Sequence, residues 1–436
     1  MEEIKKRNIK TTLINITAAL YRRIFHEEMS TDVQIFIKNL VYVGIGTAIS
    51  TLFSTIFTVL GGRLLGPEEY GKFALIQSVA MFLYIPMVLG FSTAMLKYTS
   101  EKPDFERQSN IISTTYILVV LFTIVSAILI FIFRLQLSRL FSISPDLFSI
   151  SLIFAILYVF NIVTTSVLRA IDRSRAYAVF QIVYAVILLL IFILFILNKS
   201  LSFKAMTYPM LFAYGINSMV ILILFVRKYL KWRFDRAWAK ILTKYALFAV
   251  LGGSAFAFYT NFGKILISRY MNVGDVGIYN AYYVASIGVG GLFWGVFNIV
   301  YFPAISKYEN KGTIFKRINK LLPFLFGFGI PIILIGEFII LKLFGSHYPV
   351  NFILMLMFAV SSILVVCYGL FDWTFASQGL RGMKLDNIGT IAIAIVNALL
   401  SFILIPRLGL YGAAGAILIS FIAGIGCLSL LKRRIS

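Results

Sequence analysis

The chain contains about twelve apolar segments, each close to the length that an α-helix needs to cross a lipid bilayer. A helix of about 20 apolar residues spans the hydrocarbon core. Of the 436 residues, 60% are hydrophobic and only 13% are charged, too few to cover a soluble protein of this size. The sequence therefore predicts an all-α integral membrane protein. The predicted spans are 39–61, 73–96, 111–133, 148–168, 177–197, 205–226, 245–267, 279–303, 321–344, 350–376, 387–406 and 410–431.

The basic residues are divided unevenly between the two sides of the predicted membrane. Thirty of the 40 Lys and Arg lie in the two termini and in every second loop. Basic loops stay in the cytoplasm, so we expect both termini there and the protein in the cytoplasmic (plasma or inner) membrane. This bias, together with attraction to anionic lipids, accounts for the net charge of +22 without nucleic-acid binding. The basic loops are 97–109, 169–176, 227–244, 304–320 and 379–386.

Short loops and isolated reactive residues exclude several classes of protein. No predicted loop exceeds about 18 residues, which leaves no room for a nucleotide-binding domain or a large external catalytic domain. Cys367 and Cys427 lie inside predicted spans, and His26 and His347 stand alone. We therefore expect no disulfide, no metal and no cofactor, and no enzymatic activity.

The longest basic loop divides the chain into two sets of six spans. The predicted parts are a cytoplasmic N-terminal segment (1–38), an N-lobe (39–226), a cytoplasmic linker (227–244) and a C-lobe (245–436). Within the first segment, residues 10–29 mix apolar and basic side chains. That pattern is typical of a helix lying on the membrane surface, although a mobile tail is an equal alternative.

The two halves carry a similar stretch after their first span. With an offset of 206 residues, RLLGPEEYGKF falls on RYMNVGDVGIY. A unit of six spans begins and ends on the same side of the membrane, so its repeat is parallel, with an axis along the membrane normal. The sequence thus predicts two related six-helix lobes. The matching pairs are Arg63 with Arg269, Gly71 with Gly277 and Phe73 with Tyr279.

Lys264 is the main candidate for a functional residue, because charges deep in a membrane are costly and usually face the bundle interior. Polar residues three and four positions before it extend one face of the predicted helix. The first span carries a similar stripe that ends at Arg63. We expect the two stripes to face each other across a central cavity. Their members are Thr260 and Asn261 in the seventh span and Ser54, Thr55 and Thr58 in the first.

Fixed positive charge in a site of low dielectric suits a phosphate or pyrophosphate group. Lys264, Arg63 and Arg269 fit this role towards the outer side of the membrane. For the two arginines the alternative is snorkelling to the interface. A second set of cations can gather an anionic head group at the cytoplasmic mouth, although the inside-positive bias alone also explains them. This set is Arg169, Arg173, Arg175, Arg381 and Lys384.

Glu337 and Asp372 are the only acids well inside the predicted apolar runs. They can bind a coupling proton or sodium ion, or pair with a basic residue to hold a helix in place. Four aromatic residues, one of them beside Asp372, can stack on sugar rings, although anchoring at the membrane interface is the more common use. These aromatic residues are Trp373, Tyr279, Tyr282 and Tyr283.

Three stretches resemble the polysaccharide-biosynthesis (Wzx-like) flippases of the MOP superfamily. They are RLLGPEEYGKFALIQS (63–78), ISRYMNVGDVGIYNAYYVAS (267–286) and LIPRLGLYGAAGAILIS (404–420). The resemblance implies a MATE-like fold and export of a polyprenyl-(pyro)phosphate-linked oligosaccharide to the outer leaflet by alternating access. It also implies a monomer that acts beside glycosyltransferases or a polymerase. Family members often have an acid in the seventh helix where Gly263 precedes Lys264 here, so no ion-coupling role is carried over to that helix.

Two other functions remain open. An ion-coupled drug exporter of the same superfamily usually carries an acid in or near its first helix, and the first span here has none. A membrane-embedded polysaccharide polymerase is the alternative from another class. The short loops and the lack of an intramembrane His–Asp arrangement speak against it.

Overall fold

A computed structural model describes residues 31–199, 201–231, 233–291, 301, 305 and 311–431. The proposed interfacial helix (10–29) lies outside the described residues. Those residues are overwhelmingly helical. The helices are α1 (Thr31–Leu83), α2 (Ile85–Val88), α3 (Phe91–Ser100), α4 (Phe105–Ile132), α5 (Arg134–Leu140), α6 (Pro145–Ala170), α7 (Ser174–Leu197), α8 (Lys204–Ile221), α9 (Arg236–Tyr270), α10 (Val273–Tyr283), α11 (Lys311–Phe324), α12 (Ile330–Phe344), α13 (Phe352–Ala376) and α14 (Gly379–Leu431).

Several of these helices are joined by π-helical turns rather than by loops. Within the described residues such turns follow α8 at Leu222–Val226, follow α10 at Val284–Gly288, and join α11 to α12 at Leu325–Gly329. A π-turn inserts one extra residue into a helix without breaking it. The predicted ninth span is therefore one continuous crossing that contains α11 and α12.

The prediction of about twelve membrane crossings in an all-α fold is confirmed. In the described part of the chain, nine helical segments are long and apolar enough to cross a membrane. Two of these, Val43–Val88 and Lys384–Leu431, have 46 and 48 residues and bend at Gly66 and Gly409. At 1.5 Å per residue each is long enough to cross twice. Residues 273–291 supply the described part of the remaining crossing.

Two predicted loops are wrong in part, because helices continue past the apolar segments. In the predicted linker 227–244, α9 already begins at Arg236, where the Asp235 carboxylate accepts two backbone N–H groups. The predicted loop 379–386 is helical, since α14 begins at Gly379. Hydropathy detects the part of a helix that lies in lipid, whereas backbone hydrogen bonding carries the helix on into the polar interface.

The two lobes meet in a reciprocal contact between α1 and α10. A Cβ atom added to Gly71 would lie 1.9 Å from the carbonyl oxygen of Val273, and one added to Gly277 would lie 2.0 Å from that of Pro67. Pro67 and Val273 are themselves 206 residues apart in the sequence. This reciprocity is what a two-fold axis between the two repeats produces. Only glycine permits so close an approach of the two helices.

Aromatic side chains fill the space around this glycine contact. Asn280 donates a hydrogen bond from Nδ2 to the Tyr70 hydroxyl at 2.7 Å, and the Tyr348 hydroxyl donates to the carbonyl of Gly62 at 2.9 Å. Both bonds join segments of different lobes. We call the surrounding group the aromatic seal: Tyr70, Phe73, Tyr279, Phe344 and Tyr348, each no more than 2% exposed.

At the opposite end of the crossings, α9 packs against the break between α2 and α3. Gly90 has a φ of 76°, and a Cβ atom there would lie 2.6 Å from the carbonyl oxygen of Ala246. Leu242 and Ala246 of α9 are buried in the same apolar core as α3 and α4. The start of α9 is therefore closely packed on this side of the junction between the lobes.

Candidate substrate and ion sites

Lys264 is a buried cation in α9. The side chain is buried, and the residue is only 8% exposed. The ammonium nitrogen lies 4.9 Å from the centroid of the Tyr283 ring, a distance suited to a cation–π contact. Within the described ranges no acidic side chain pairs with it. A buried, unpaired ammonium is costly, so this side chain is chemically suited to a ligand that carries negative charge.

Three side chains of the polar stripes on α1 and α9 donate hydrogen bonds within their own helices. The hydroxyl of Thr58 donates to the carbonyl of Ser54 at 2.8 Å, and that of Thr260 donates to the carbonyl of Phe256. Asn261 Nδ2 likewise donates to the carbonyl of Ala257 at 3.1 Å. Such bonds lower the cost of a polar side chain in a membrane. That the two stripes face each other remains a prediction.

Arg63 and Arg269 do not share the environment of Lys264. Both are exposed. The Arg63 guanidinium donates to the carbonyl of Leu343 at 3.4 Å, and that of Arg269 lies 5.9 Å from the Tyr270 ring centroid. Arg269 follows Lys264 by five residues, about 140° around the helix. The structure therefore places these arginines at the surface, at the same end as the aromatic seal.

The second set of cations lies at two polar helix ends. Arg169, Arg173 and Arg175 are exposed at the turn between α6 and α7, and Lys384 is exposed in the first turns of α14. The guanidinium of Arg169 lies 5.7 Å from the ring centroid of Tyr177. The backbone of Arg381 lies in α14, and its side chain is outside the described set. Their role in gathering an anion remains a prediction.

A cavity of about 590 Å³ opens among α9, α10, α13 and α14. Its walls combine two carboxyl groups with aromatic rings, a mixture that can bind a cation or a polar, ring-containing ligand. Tyr283 belongs both to this wall and to the contact with Lys264, so the cation lies beside the cavity. The polar side chains of the lining belong to Tyr259, Tyr283, Tyr368, Asp372, Trp373, Asp386, Asn387 and Thr390.

Asp372 and Asp386 form an acid pair in this cavity. Their carboxyl groups lie within hydrogen-bonding reach of each other, and Asp372 is also within reach of the Tyr368 hydroxyl. The Tyr368 and Thr390 hydroxyls are 2.8 Å apart. Two adjacent carboxylates repel each other unless they share a proton or a cation. Neither forms a salt bridge with Lys or Arg in the described part of the chain, so the pair is a candidate ion site.

The sequence prediction missed Asp386. Asp386 joins Asp372 in the cavity lining because α14 begins at Gly379 and includes Asp386 in its third turn. Asp386 belongs to the polar segment 379–386, where hydropathy gives no reason to single out an acid. The i, i+4 spacing of Asp386 and Thr390 is the signal that could have indicated a polar helix face.

Glu337 lies apart from the acid pair. It sits in α12, is fully buried and is outside the cavity lining. Within the described residues neither carboxyl oxygen has a hydrogen-bond partner. The structure therefore separates the two acids that the sequence analysis grouped together.

The aromatic candidates also divide into two groups. Tyr279 and Tyr282 are at most 2% exposed and pack against Phe358, with ring centroids 5.4 and 5.7 Å from it. They are therefore unavailable to a sugar ring in this conformation. Tyr283 and Trp373 line the cavity instead.

Comparisons with solved structures agree with this architecture. A multidrug-resistance MATE family transporter of the MOP superfamily in an inward-facing conformation matches 88% of this chain and 94% of its own, with 16% identity and a TM-score of 0.69. An outward-facing MATE transporter matches 94% and 99%, with 16% identity and a TM-score of 0.61. A MOP superfamily transporter from Pyrococcus furiosus matches to the same extents, with 16% identity and a TM-score of 0.60. The protein thus has the fold of MOP superfamily transporters.

Comparison of the sequence with protein-family models identifies its family. The model of the polysaccharide biosynthesis protein family matches residues 36–309, more than half of the chain. The chain belongs to this family, as its three resembling stretches predicted. A search of curated proteins found no match.

Proposed function

We propose that this protein moves a polyprenyl-(pyro)phosphate-linked oligosaccharide from the cytoplasmic to the outer leaflet by alternating access between its two lobes. Its termini lie in the cytoplasm in this proposal, as the basic loops predict. Membership of the polysaccharide biosynthesis protein family supports a glycan as cargo. The fold supports a transport cycle.

The observation that carries the proposal is the state of Lys264. Its ammonium is buried beside an aromatic ring and has no acidic partner in the described part of the chain. A phosphate group would supply the missing charge through a charge-assisted hydrogen bond. The neighbouring cavity adds Tyr283 and Trp373 as surfaces for sugar rings.

The membrane potential can drive this movement without ATP. An inside-negative potential favours outward movement of an anion by about 2.3 kcal/mol per charge per 100 mV. A head group with two negative charges gains roughly 4–5 kcal/mol per 100 mV. The acid pair of Asp372 and Asp386 would add a coupled proton or cation to this driving force.

Transport by purified protein in proteoliposomes tests the proposal. We expect the native protein to move a fluorescent polyprenyl-diphosphate oligosaccharide across the bilayer. Lys264→Ala should slow this movement at least tenfold, because a hydrogen bond to a charged group contributes about 1.5–3 kcal/mol. The variant should unfold at the same or a higher temperature, since it removes an unpaired buried charge.

Lys244→Ala is the matched control. Lys244 lies in the same helix but is exposed, so its removal should leave both transport and stability near those of the native protein. Normal transport by well-folded Lys264→Ala would exclude the cation role of Lys264. A native protein that moves no polyprenyl-linked glycan under any imposed potential would contradict the function itself.

Export of cationic small molecules is the second candidate, and the acid pair favours it. Two carboxyl groups among aromatic rings can bind an organic cation as well as an inorganic one. In that case the native protein would move a fluorescent cationic dye, and Asp372→Asn would abolish the movement. Lys264→Ala would then leave transport intact or increase it, because Lys264 repels a cation.

A further inference from the structure

We propose that a groove along α1 holds the hydrocarbon chain of the polyprenyl carrier at the end of its passage, with the carrier's phosphate on Arg63 after it has left Lys264. This proposal rests on the proposed function and names the lipid-binding site that it needs. The groove has a volume of about 770 Å³ and lies between α1, the residues just after α10, and α12. Its lining is Ala48, Leu52, Thr55, Ile56, Val59, Leu60, Arg63, Val289, Ile340 and Leu343.

The shape of the groove fits one extended chain. Its α1 residues recur every three or four positions from Ala48 to Arg63, which places them on one face of the helix. Fifteen residues of helix rise about 22 Å, most of the roughly 30 Å hydrocarbon core. Except for Thr55, the α1 side chains before Arg63 are apolar. A chain bound by its phosphate at Arg63 would run along this face into the bilayer.

The chemistry at the end of the groove fits a phosphate. Arg63 is exposed, and within the described part of the chain its guanidinium has one hydrogen bond, to the Leu343 carbonyl at 3.4 Å. Most of the five donors of an arginine thus remain free for an anion. Arginine binds phosphate oxygens in a bidentate manner. The groove therefore presents a charged end and an apolar body, the two parts of a phosphate-headed lipid.

The position of the groove between the lobes favours the carrier over a passing membrane lipid. The junction of the lobes has two sides. On one side α9 packs tightly against the α2–α3 break, where a Cβ atom on Gly90 would lie 2.6 Å from Ala246. On the other side the groove stays open among the described residues, with walls from α1 of one lobe and α12 of the other. A hydrocarbon chain bound there contacts both lobes, so its affinity changes when the lobes move relative to each other.

A second groove in the same protein provides an internal comparison. It has about 710 Å³ and lies between α6 and α8, within a single lobe. Its lining, which includes Ile153, Leu157 and Phe212, contains no charged residue. Ordinary membrane lipid would cover both grooves, whereas a phosphate-headed carrier would prefer the groove at Arg63.

Photocrosslinking in proteoliposomes tests this preference. The probe is a polyprenyl phosphate with a diazirine in its isoprenoid chain, in bilayers of phosphatidylcholine, with adducts mapped by mass spectrometry. We expect adducts on the α1 face between Ala48 and Leu60 to exceed those on the α6–α8 groove at least tenfold. Arg63→Gln should reduce them at least fivefold, and unlabelled polyprenyl phosphate should compete, whereas phosphatidylglycerol should not.

Groove-filling variants give the second readout. Leu52 and Ile153 are similarly exposed, at 56% and 51%, in the first and second groove. Leu52→Trp should reduce both the adducts and glycan transport at least fivefold, and Ile153→Trp should change neither. Equal labelling of the two grooves, or competition by phosphatidylglycerol, would overturn the proposal in favour of ordinary lipid. Glycan transport by the native protein, measured in the same vesicles, tests the proposed function separately from the groove.

Discussion

At the scale of single residues, the structure places charged residues that the sequence analysis assigned to one site in different environments. Lys264 is buried beside Tyr283, whereas Arg63 and Arg269 are exposed at one end of the molecule. Asp372 gains a partner, Asp386, that comes from a different helix. Sequence singles out a charge by its apolar neighbours along the chain. Which charges meet depends on how the helices pack, and hydropathy does not contain that information.

The acid pair leads to a prediction about coupling. In Asp386→Asn, the remaining carboxylate no longer has to share a proton or cation with a neighbour. We expect glycan transport by this variant to lose its response to imposed proton or sodium gradients and to keep its response to membrane potential. The measurement is the initial transport rate in proteoliposomes with each gradient applied separately.

Glu337→Gln is the control for that experiment. Glu337 is also a buried acid, but it lies outside the cavity that contains the pair. Its isosteric replacement should leave the gradient response unchanged. If Glu337→Gln abolished the response and Asp386→Asn kept it, the coupling site would lie in α12 instead.

At the scale of helices, glycine and proline determine where the crossings bend and how closely they approach. Gly66 precedes Pro67 at the bend in α1, and its φ of 74° is a conformation that few other residues adopt. Gly71, five residues later, permits contact with the backbone of α10. The sequence predicted the turn between these spans. Only the structure revealed that the same stretch forms the junction between the lobes.

The close contact at Gly71 predicts a shift in conformation for Gly71→Ala. The new Cβ atom would start 1.9 Å from the Val273 carbonyl oxygen. Relief to a normal contact of about 3.5 Å requires a movement of about 1.5 Å or more. Spin labels at Leu64 and Tyr270, which are exposed positions related by the repeat, should report a larger mean distance. The experiment uses a background in which Cys367 and Cys427 are replaced by Ser.

Gly336→Ala serves as the control for this change. Gly336 lies within α12, and no described residue comes within 4 Å of a Cβ atom added there. Alanine there should keep the label distance and slightly stabilise the helix, by about 0.5–1 kcal/mol. An unchanged label distance in Gly71→Ala would mean that the junction of the lobes is not rigid at this point.

At the scale of the whole molecule, the repeat explains why two distant stretches meet. A parallel repeat places equivalent residues on opposite sides of one axis. Residues 67–71 and 273–277 therefore lie against each other although they are 206 positions apart in sequence. The basic loops orient this arrangement in the membrane, and they predict that the aromatic seal faces outward.

Cysteine labelling tests that orientation. In a background without Cys367 and Cys427, the variants Asp146→Cys and Arg233→Cys each place one thiol at an exposed position between helices or at a helix start. A membrane-impermeant maleimide should label residue 146 in intact cells and residue 233 only after permeabilisation. The reverse labelling pattern would mean that the protein has the opposite orientation in the membrane. The proposed transport would then run in the opposite direction.

The sequence by itself determined the number of crossings, the two related halves, the family and the principal buried cation. These follow from patterns along the chain: apolar length, charge bias and local motifs. The tertiary structure alone decided the Asp372–Asp386 pair, the contact of Gly71 with Val273, and the groove that ends at Arg63. Each joins helices far apart in sequence. Their meeting depends on side-chain packing across the whole bundle, which leaves no local pattern in the chain.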